Sequence, residues 1–251
     1  MTSEPEQPTY PSRSAELLWG LWERPTRGPK PGLTLDRIVD TAISVADANG
    51  LDALSMRRIA RELEVGTMSL YRYIPGKAEL LDLMLDRVSD PSKQVKQAEG
   101  LDWRGVVEIA ARESYRVYVT HPWTLGVNWT RPVLGPNTLA AVEFIVGGLA
   151  GLGLTDQERV MVLSMIDGYV VGIARSYVQY TSAAEETGVS DEEFWAQQIP
   201  VLERAMTTGD YPAMAALSED AFGAGWDDTF EFGLQRLLDG LQLFVDARRS
   251  A

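Results

Sequence analysis

Two groups of side chains in this sequence are spaced to do chemistry towards solvent. Arg57 and Arg58 fall in the first turn of a short amphipathic helix over 55–63 that the Ser55 hydroxyl can cap, with Arg61 one turn on. The positive end of a helix dipole disfavours cations there by ~0.3–1 kcal/mol each. An anion close by would interact favourably with the helix terminus and the arginines together. The second group is residues 65–77, VGTMSLYRYIPGK, where Leu70 and Ile74 form the obvious apolar i, i+4 pair. With those two turned inward, a helix over 67–74 with Thr67 as its cap is expected to hold Thr67, Met68, Ser69, Tyr71, Arg72 and Tyr73 outward. Thr, Ser and Arg can hydrogen-bond base edges, and Met can touch a thymine methyl. Tyrosine hydroxyls and the Lys77 ammonium suit phosphate oxygens. A solvated surface explains any two of these side chains equally well. Their concentration on one short helix after a tight turn indicates recognition of a nucleic-acid duplex.

Composition narrows the other possibilities. The 251 residues contain no cysteine and a single histidine, His121. Disulfides and thiolate metal sites are excluded, and zinc or Ser-His-Asp chemistry lacks its usual imidazoles. No paired-carboxylate motif is present, so neither catalysis nor a cofactor nor a metal is expected. The formal net charge of -13 argues against a polyanionic partner, but the charge is uneven. Residues 24–77 hold nine Lys and Arg against six Asp and Glu, whereas residues 89–251 hold 12 against 23. A mildly basic N-terminal unit thus precedes an acidic body. The start, MTSEPEQPTYPS, is polar, and no run of 18 apolar residues occurs, so a cytoplasmic protein without a membrane segment is expected.

The elements that must position these side chains read as all-α. A 45% apolar content with seven Trp supports a real core, and no strand-like alternation occurs. Residues 1–30 form an N-terminal arm: 13–22 can make a short amphipathic helix, and Pro and Gly keep the following basic segment with Arg24, Arg27 and Lys30 extended. That segment suits phosphates or a minor groove, or is a simple polar linker. A domain over 31–88 follows. Its first helix runs from the Thr34 cap to Asn49, with Gly50 as its stop; the helices at 55–63 and 67–74 and a fourth over 77–88 complete it. The second and third stand as a helix-turn-helix. DPSKQVKQAEG (90–100) reads as a hinge within residues 89–251, a helical body with helices near 102–120, 136–151, 156–182, 190–208 and 226–248.

Residues 35–86 resemble the DNA-binding domain of the TetR family of transcriptional regulators. The match is continuous, and its signature ending, Leu-Tyr-x-Tyr/His-hydrophobic-x-x-Lys, stands here as SLYRYIPGK. The resemblance implies a homodimer on a palindromic operator, with helix 67–74 in the major groove. By that resemblance Thr67, Met68 and Ser69 read bases. Tyr71, Tyr73 and Lys77 contact phosphates, and Ser55 and Arg57 make the contacts at the start of the second helix. One position departs from the family: the turn residue that is usually glycine is Glu64. In a left-handed conformation a non-glycine costs ~1–2 kcal/mol there, and its carboxylate would lie near the DNA backbone.

The acidic body matches the family less specifically. Helix 156–182 is apolar nearly all round, which marks a helix buried on most sides, and carries Gly168 and Gly172, each costing ~1 kcal/mol relative to Ala. Close approach of another helix would justify both. Helix 226–248 offers a stripe of Phe230, Leu234, Leu237, Leu238, Leu241 and Val245. The resemblance implies that these two helices form the dimer interface as a four-helix bundle; an intrachain core is the alternative. Tyr115, Tyr118, Trp123, Trp129, Phe144, Met161, Met165 and Tyr169 could line a pocket for a fairly apolar small-molecule effector, or fill an ordinary core. His121 is expected at a helix end, and Asp167 and Arg175 to face a pocket or each other across a dimer axis. The function expected is a repressor released from its operator by an effector. The competing expectation is an all-α dimeric ligand-binding or protein-interaction module that keeps the helix-turn-helix only as scaffold.

Overall fold

The structure, a computed structural model, describes residues 13–21, 32–127, 134–218 and 220–249, and every regular element among them is helical. Arg24, Arg27, Lys30 and Trp129, named above, lie outside the described residues. The chain forms two compact units that divide after Gly151.

In the first unit, α1 (Arg13–Leu18) packs on α5 (Lys77–Val88), burying Leu17, and Ser14 hydrogen-bonds Asp82. Burial raises the Asp82 carboxyl above its ordinary range, while the Ser14 bond acts the other way. Helix α2 (Leu35–Asn49) starts where Thr34 Oγ1 accepts from Arg37 N at 3.1 Å, and Gly50, at φ 73°, ends it. A 3-10 turn (Leu51–Ala53) leads to α3 (Met56–Glu62), capped by Ser55 Oγ accepting from Arg58 N at 3.2 Å. Helix α4 (Thr67–Leu70) follows. Ile38, Ala42, Ile59, Leu70, Ile74 and Leu80 are fully buried at the centre of these helices. At roughly 1.5–3 kcal/mol per buried large aliphatic side chain, this packing holds elements too short to be stable alone.

Two features differ from the sequence reading here. Helix α4 is a single turn, capped by Gly66 rather than Thr67, and ends at Leu70. Beyond it the chain tightens, with Tyr73 N donating to Leu70 O at 2.8 Å. That turn swings residue 73 inward. Second, the stretch expected as a hinge contains α6 (Ser92–Gln97), with Pro91, Gln94 and Ala98 buried.

Helix α7 (Trp103–Thr120), capped by Asp102, packs with α6 and with α8 (Pro136–Gly148), and a 3-10 turn (Pro122–Gly126) lies between α7 and α8 in sequence. A Cβ on Gly148 would come within 2.6 Å of Val106, so only glycine lets α8 close on α7 at this point. At the other end of α8, Asp86 of α5 is buried and accepts from Thr138 N at 2.9 Å and Thr138 Oγ1 at 3.0 Å. It caps a helix whose own cap residue, Gly135, has no side chain to do so. Any Cβ at Gly135 would collide with that carboxylate.

The second unit is built on α9 (Asp156–Thr187) and α12 (Trp226–Arg249), with α10 (Asp191–Met206) and α11 (Pro212–Ala215) between them in sequence. The start of α9 meets the end of α12 through Glu158 and Arg248, while Tyr177 meets Trp226, so the two helices run antiparallel. Val162, Ile166, Val170 and Ala174 of α9 are buried, as are Phe230, Leu234, Leu238, Leu241 and Val245 of α12. By length and composition alone α9 would also pass for a membrane span; Asp167 and Arg175 interrupt its apolar run and one face packs on α12.

The stripe assigned to a dimer interface is therefore largely intrachain core, Phe230, Leu234 and Leu241 included; Leu237 is half-buried. Gly168 and Gly172 sit on the opposite, exposed face of α9, where an added Cβ would meet nothing within 4 Å.

Candidate nucleic-acid interface and ligand cavity

The turn between α3 and α4 is built on one unusual backbone conformation. Glu64 has φ 55°, the only positive φ among the described non-glycine residues, and is exposed. It reverses the chain so that Val65 N returns to Ala60 O at 2.9 Å. The starts of α3 and α4 then border one open groove of about 550 Å³, lined by Ser55, Arg57, Arg58, Arg61, Gly66 and Thr67. Arg58 is held by Asn49 Oδ1 at 2.8 Å and Glu62 at 3.3 Å. Arg57, Arg61 and Arg72 are exposed and form no ion pair among the described residues. Arg57 at the start of α3 and Arg61 in its last turn, with no carboxylate paired to either, leave the groove ready for an anion.

Met68 is 75% exposed and Tyr71 44%, and Thr67 and Ser69 on either side of Met68 are partly exposed. Lys77 Nζ donates to Leu51 O at 3.0 Å, which steadies an exposed ammonium that keeps further donor capacity. Tyr73 is different. It is 7% exposed and its hydroxyl donates to Leu33 O at 2.8 Å, tying the end of the motif to the lead-in of α2. Its side chain is packed into the domain and its hydroxyl is used within the fold, whereas the sequence reading holds it outward.

The residues expected to line a pocket scatter. Tyr118 and Phe144 come together in a mostly apolar cavity of about 120 Å³, bounded also by Val88, Gln94, Val117 and Thr124. Trp123 instead belongs to the core of the first unit, its Nε1 donating to Asp47 Oδ1 at 2.7 Å. Met161 and Met165 are exposed on α9, and Tyr169 is pinned to α12 by donating to Thr229 O and Phe230 O at 3.1 and 2.7 Å. Tyr115 is half-buried on α7 but is not part of the cavity wall. Glu113, at the rim, is held below the usual carboxylate range chiefly by its hydrogen bond from Arg116.

Sequence reasoning missed Asp47, Asp86 and Gln94. Asp47 Oδ1 also lies 2.7 Å from His121 Nδ1, and Thr124 Oγ1 donates to His121 O at 2.7 Å. The cavity wall at Thr124 is thus linked through His121 to α2, and the wall at α8 is linked through Asp86 to α5. His121 is at a helix end as expected, but its ring serves this link.

A three-helix domain with a one-turn helix after a tight turn, a basic groove and exposed Met68 and Tyr71 defines a helix-turn-helix protein. The family model for bacterial regulatory proteins of the tetR family matches residues 38–84, and that for the tetracyclin repressor-like C-terminal domain matches residues 97–245. The chain belongs to the TetR family and is a DNA-binding transcriptional regulator. It is 53% identical to the HTH-type transcriptional repressor DrrR1 of Streptomyces coeruleorubidus over 95% of this chain and 88% of that one. Among solved structures it is similar to the Streptomyces coelicolor TetR family protein ActR in complex with (S)-DNPA, with TM-score 0.64 and 29% identity over 85% of this chain and 99% of that one. The ActR complex with actinorhodin aligns with TM-score 0.62 over 85% and 98%.

Proposed function

We propose that this chain is a repressor that holds a palindromic operator as a homodimer and releases it when a fairly apolar small molecule enters the cavity walled by Tyr118 and Phe144. The observation that carries the reading is the pair of carboxylates, Asp47 and Asp86, that fasten the cavity walls to α2 and α5, the helices on either side of the helix-turn-helix. In the present structure the cavity, about 120 Å³, has room for one aromatic ring at most; engineered cavities of roughly 150 Å³ accept benzene. Larger ligands occupy about 300–1,000 Å³, so such an effector must part α8 from α7. Opening the cavity pulls on Asp86 and on the Thr124–His121–Asp47 link, and so displaces α5 or α2. Two recognition helices matched to major grooves about 34–36 Å apart lose that match when either helix moves.

Dimerisation through the exposed face of α9 is supported by Gly168 and Gly172 and by Met161 and Met165 on the same face. Glycines that cost ~1 kcal/mol each in a helix, and beside whose Cβ positions no atom of the described residues lies within 4 Å, fit a close-packed partner helix. The side chains of the effector site and of the DNA-facing groove carry the roles given above, with Trp123 and Tyr73 as structural supports. No catalytic role is assigned to any residue.

The test is release of an operator-bound dimer by (S)-DNPA and by actinorhodin, the ligands of the ActR complexes. Dissociation by either ligand, with sedimentation of the free protein as a dimer, supports the reading. Retention of DNA at saturating occupancy of the cavity, or a monomer, overturns it.

A further inference from the structure

We propose that Gln94 selects the ligand of this cavity, its side-chain carbonyl accepting a hydrogen bond from a hydroxyl or N–H carried by an otherwise apolar aromatic molecule. The proposal rests on reading the cavity as the effector site. Gln94 is 9% exposed, and its Oε1 is buried without a hydrogen-bond partner. A buried amide oxygen has lost its water and, unpartnered, is a net destabilisation that native chains seldom keep without a use.

The local sequence shows that this burial is not forced by lack of an alternative. On α6 the next residue, Val95, is 45% exposed, so the short helix turns its apolar side chain to water and its amide to the cavity. That inverts the pattern by which a surface helix is ordinarily held, and such inversions concentrate at functional positions. Three other polar groups at the wall are engaged. Ser89 Oγ donates to Leu85 O at 2.8 Å, Thr124 Oγ1 donates to His121 O at 2.7 Å, and the Glu113 carboxylate holds Arg116. What the cavity offers a ligand is therefore an aromatic and aliphatic surface, the Ser114 and Tyr118 hydroxyls, and one buried acceptor without a partner. A site built to bond a hydroxyl discriminates strongly against the analogue that lacks it, because its own polar group is then left bare.

The experiment compares phenol with its isostere toluene on the full-length protein, wild type and Gln94→Met, a change that removes the amide at similar volume. Binding is read from shifts of the Val117 and Ile145 methyl resonances, both of which line the cavity. Taking the phenol-to-toluene affinity ratio in each protein cancels the different hydration of the two probes. The ratio is expected to fall about tenfold in Gln94→Met, the effect of one good hydrogen bond. The ligand-free variant should melt at or above the wild-type temperature, since it loses an unpartnered polar group. A ratio unchanged within twofold, or a lower melting temperature, overturns the role of Gln94 and leaves the cavity as a ligand site. Failure of both probes to shift either methyl overturns the cavity reading along with it.

Discussion

Asp47 Oδ1 accepts from Trp123 Nε1 and from His121 Nδ1, each at 2.7 Å, across more than 70 residues of sequence. A carboxylate has no proton to give, so the histidine must carry its proton on Nδ1 at this contact. One oxygen thus joins α2, the first helix of the DNA-binding domain, to the turn that walls the ligand cavity. Replacing it tests both stability and coupling. Asp47→Ala leaves the indole N–H of buried Trp123 without its partner, costing about 1–3 kcal/mol. That is a fall in melting temperature on the order of 3–10 °C for a chain of this size. Operator affinity at a temperature where the variant is folded should change little, while release by a cavity ligand should weaken. Melting curves paired with release titrations check both outcomes.

The groove at α3 and α4 separates positioning from reading. Arg57→Ala and Lys77→Ala should weaken binding to all sequences and lower the salt slope by about one each. Thr67→Ala, Met68→Ala or Ser69→Ala should leave the slope alone and relax preference at single base pairs by about 1–3 kcal/mol. Tyr73→Phe should do neither, and should lower stability by roughly 1 kcal/mol through the lost bond to Leu33 O. Anisotropy titrations at several salt concentrations distinguish all three.

Glu64 holds a conformation that glycine adopts freely. Glu64→Gly removes a penalty of ~1–2 kcal/mol and adds back ~0.4–1 kcal/mol of unfolded-chain entropy. A small rise in melting temperature is expected. Operator binding should tighten as well, since a carboxylate near the phosphates is gone. Weaker binding by this variant would mean that Glu64 has a favourable role at the DNA.

Acid titration gives a further check. The Glu113 carboxyl is held below its ordinary 4.5 by Arg116. An acid whose folded value is lowered contributes stability above its unfolded value and loses it as pH falls through the folded one. Wild type should therefore exceed Glu113→Gln in melting temperature at pH 7. The gap should shrink progressively as pH drops below about 4.5.

The parts of the fold governed by local rules were legible in the sequence. Thr34 and Ser55 cap, Gly50 stops α2, and Leu70 and Ile74 point inward because capping chemistry and helical spacing are written within a few residues. Tyr73 departs from expectation because an unbroken helix over 67–74 would hold it outward; one turn of α helix followed by a tighter one rotates that position into the core. The apolar stripe of α12 was correctly found, but a stripe does not say what covers it, and α9 of the same chain covers most of it. Trp123 and Asp47 meet only through tertiary structure, so their roles left no local trace. Gln94 was hidden for a different reason: a polar residue in a stretch rich in Lys, Gln and Ser reads as linker, and only its burial reveals it.

The decisive experiment is anisotropy of a duplex carrying the chain's own upstream region, from about 50 to 200 mM salt. It should be run with wild type, Tyr71→Phe and the double variant Arg57→Ala/Lys77→Ala. Wild type should bind specifically and lose affinity steeply with salt. Tyr71→Phe should bind more weakly at the same slope, and the double variant should show a slope lower by about two. Wild-type binding that is absent or indifferent to sequence, or a double variant with an unaltered slope, would show that the α3–α4 surface does not grip DNA.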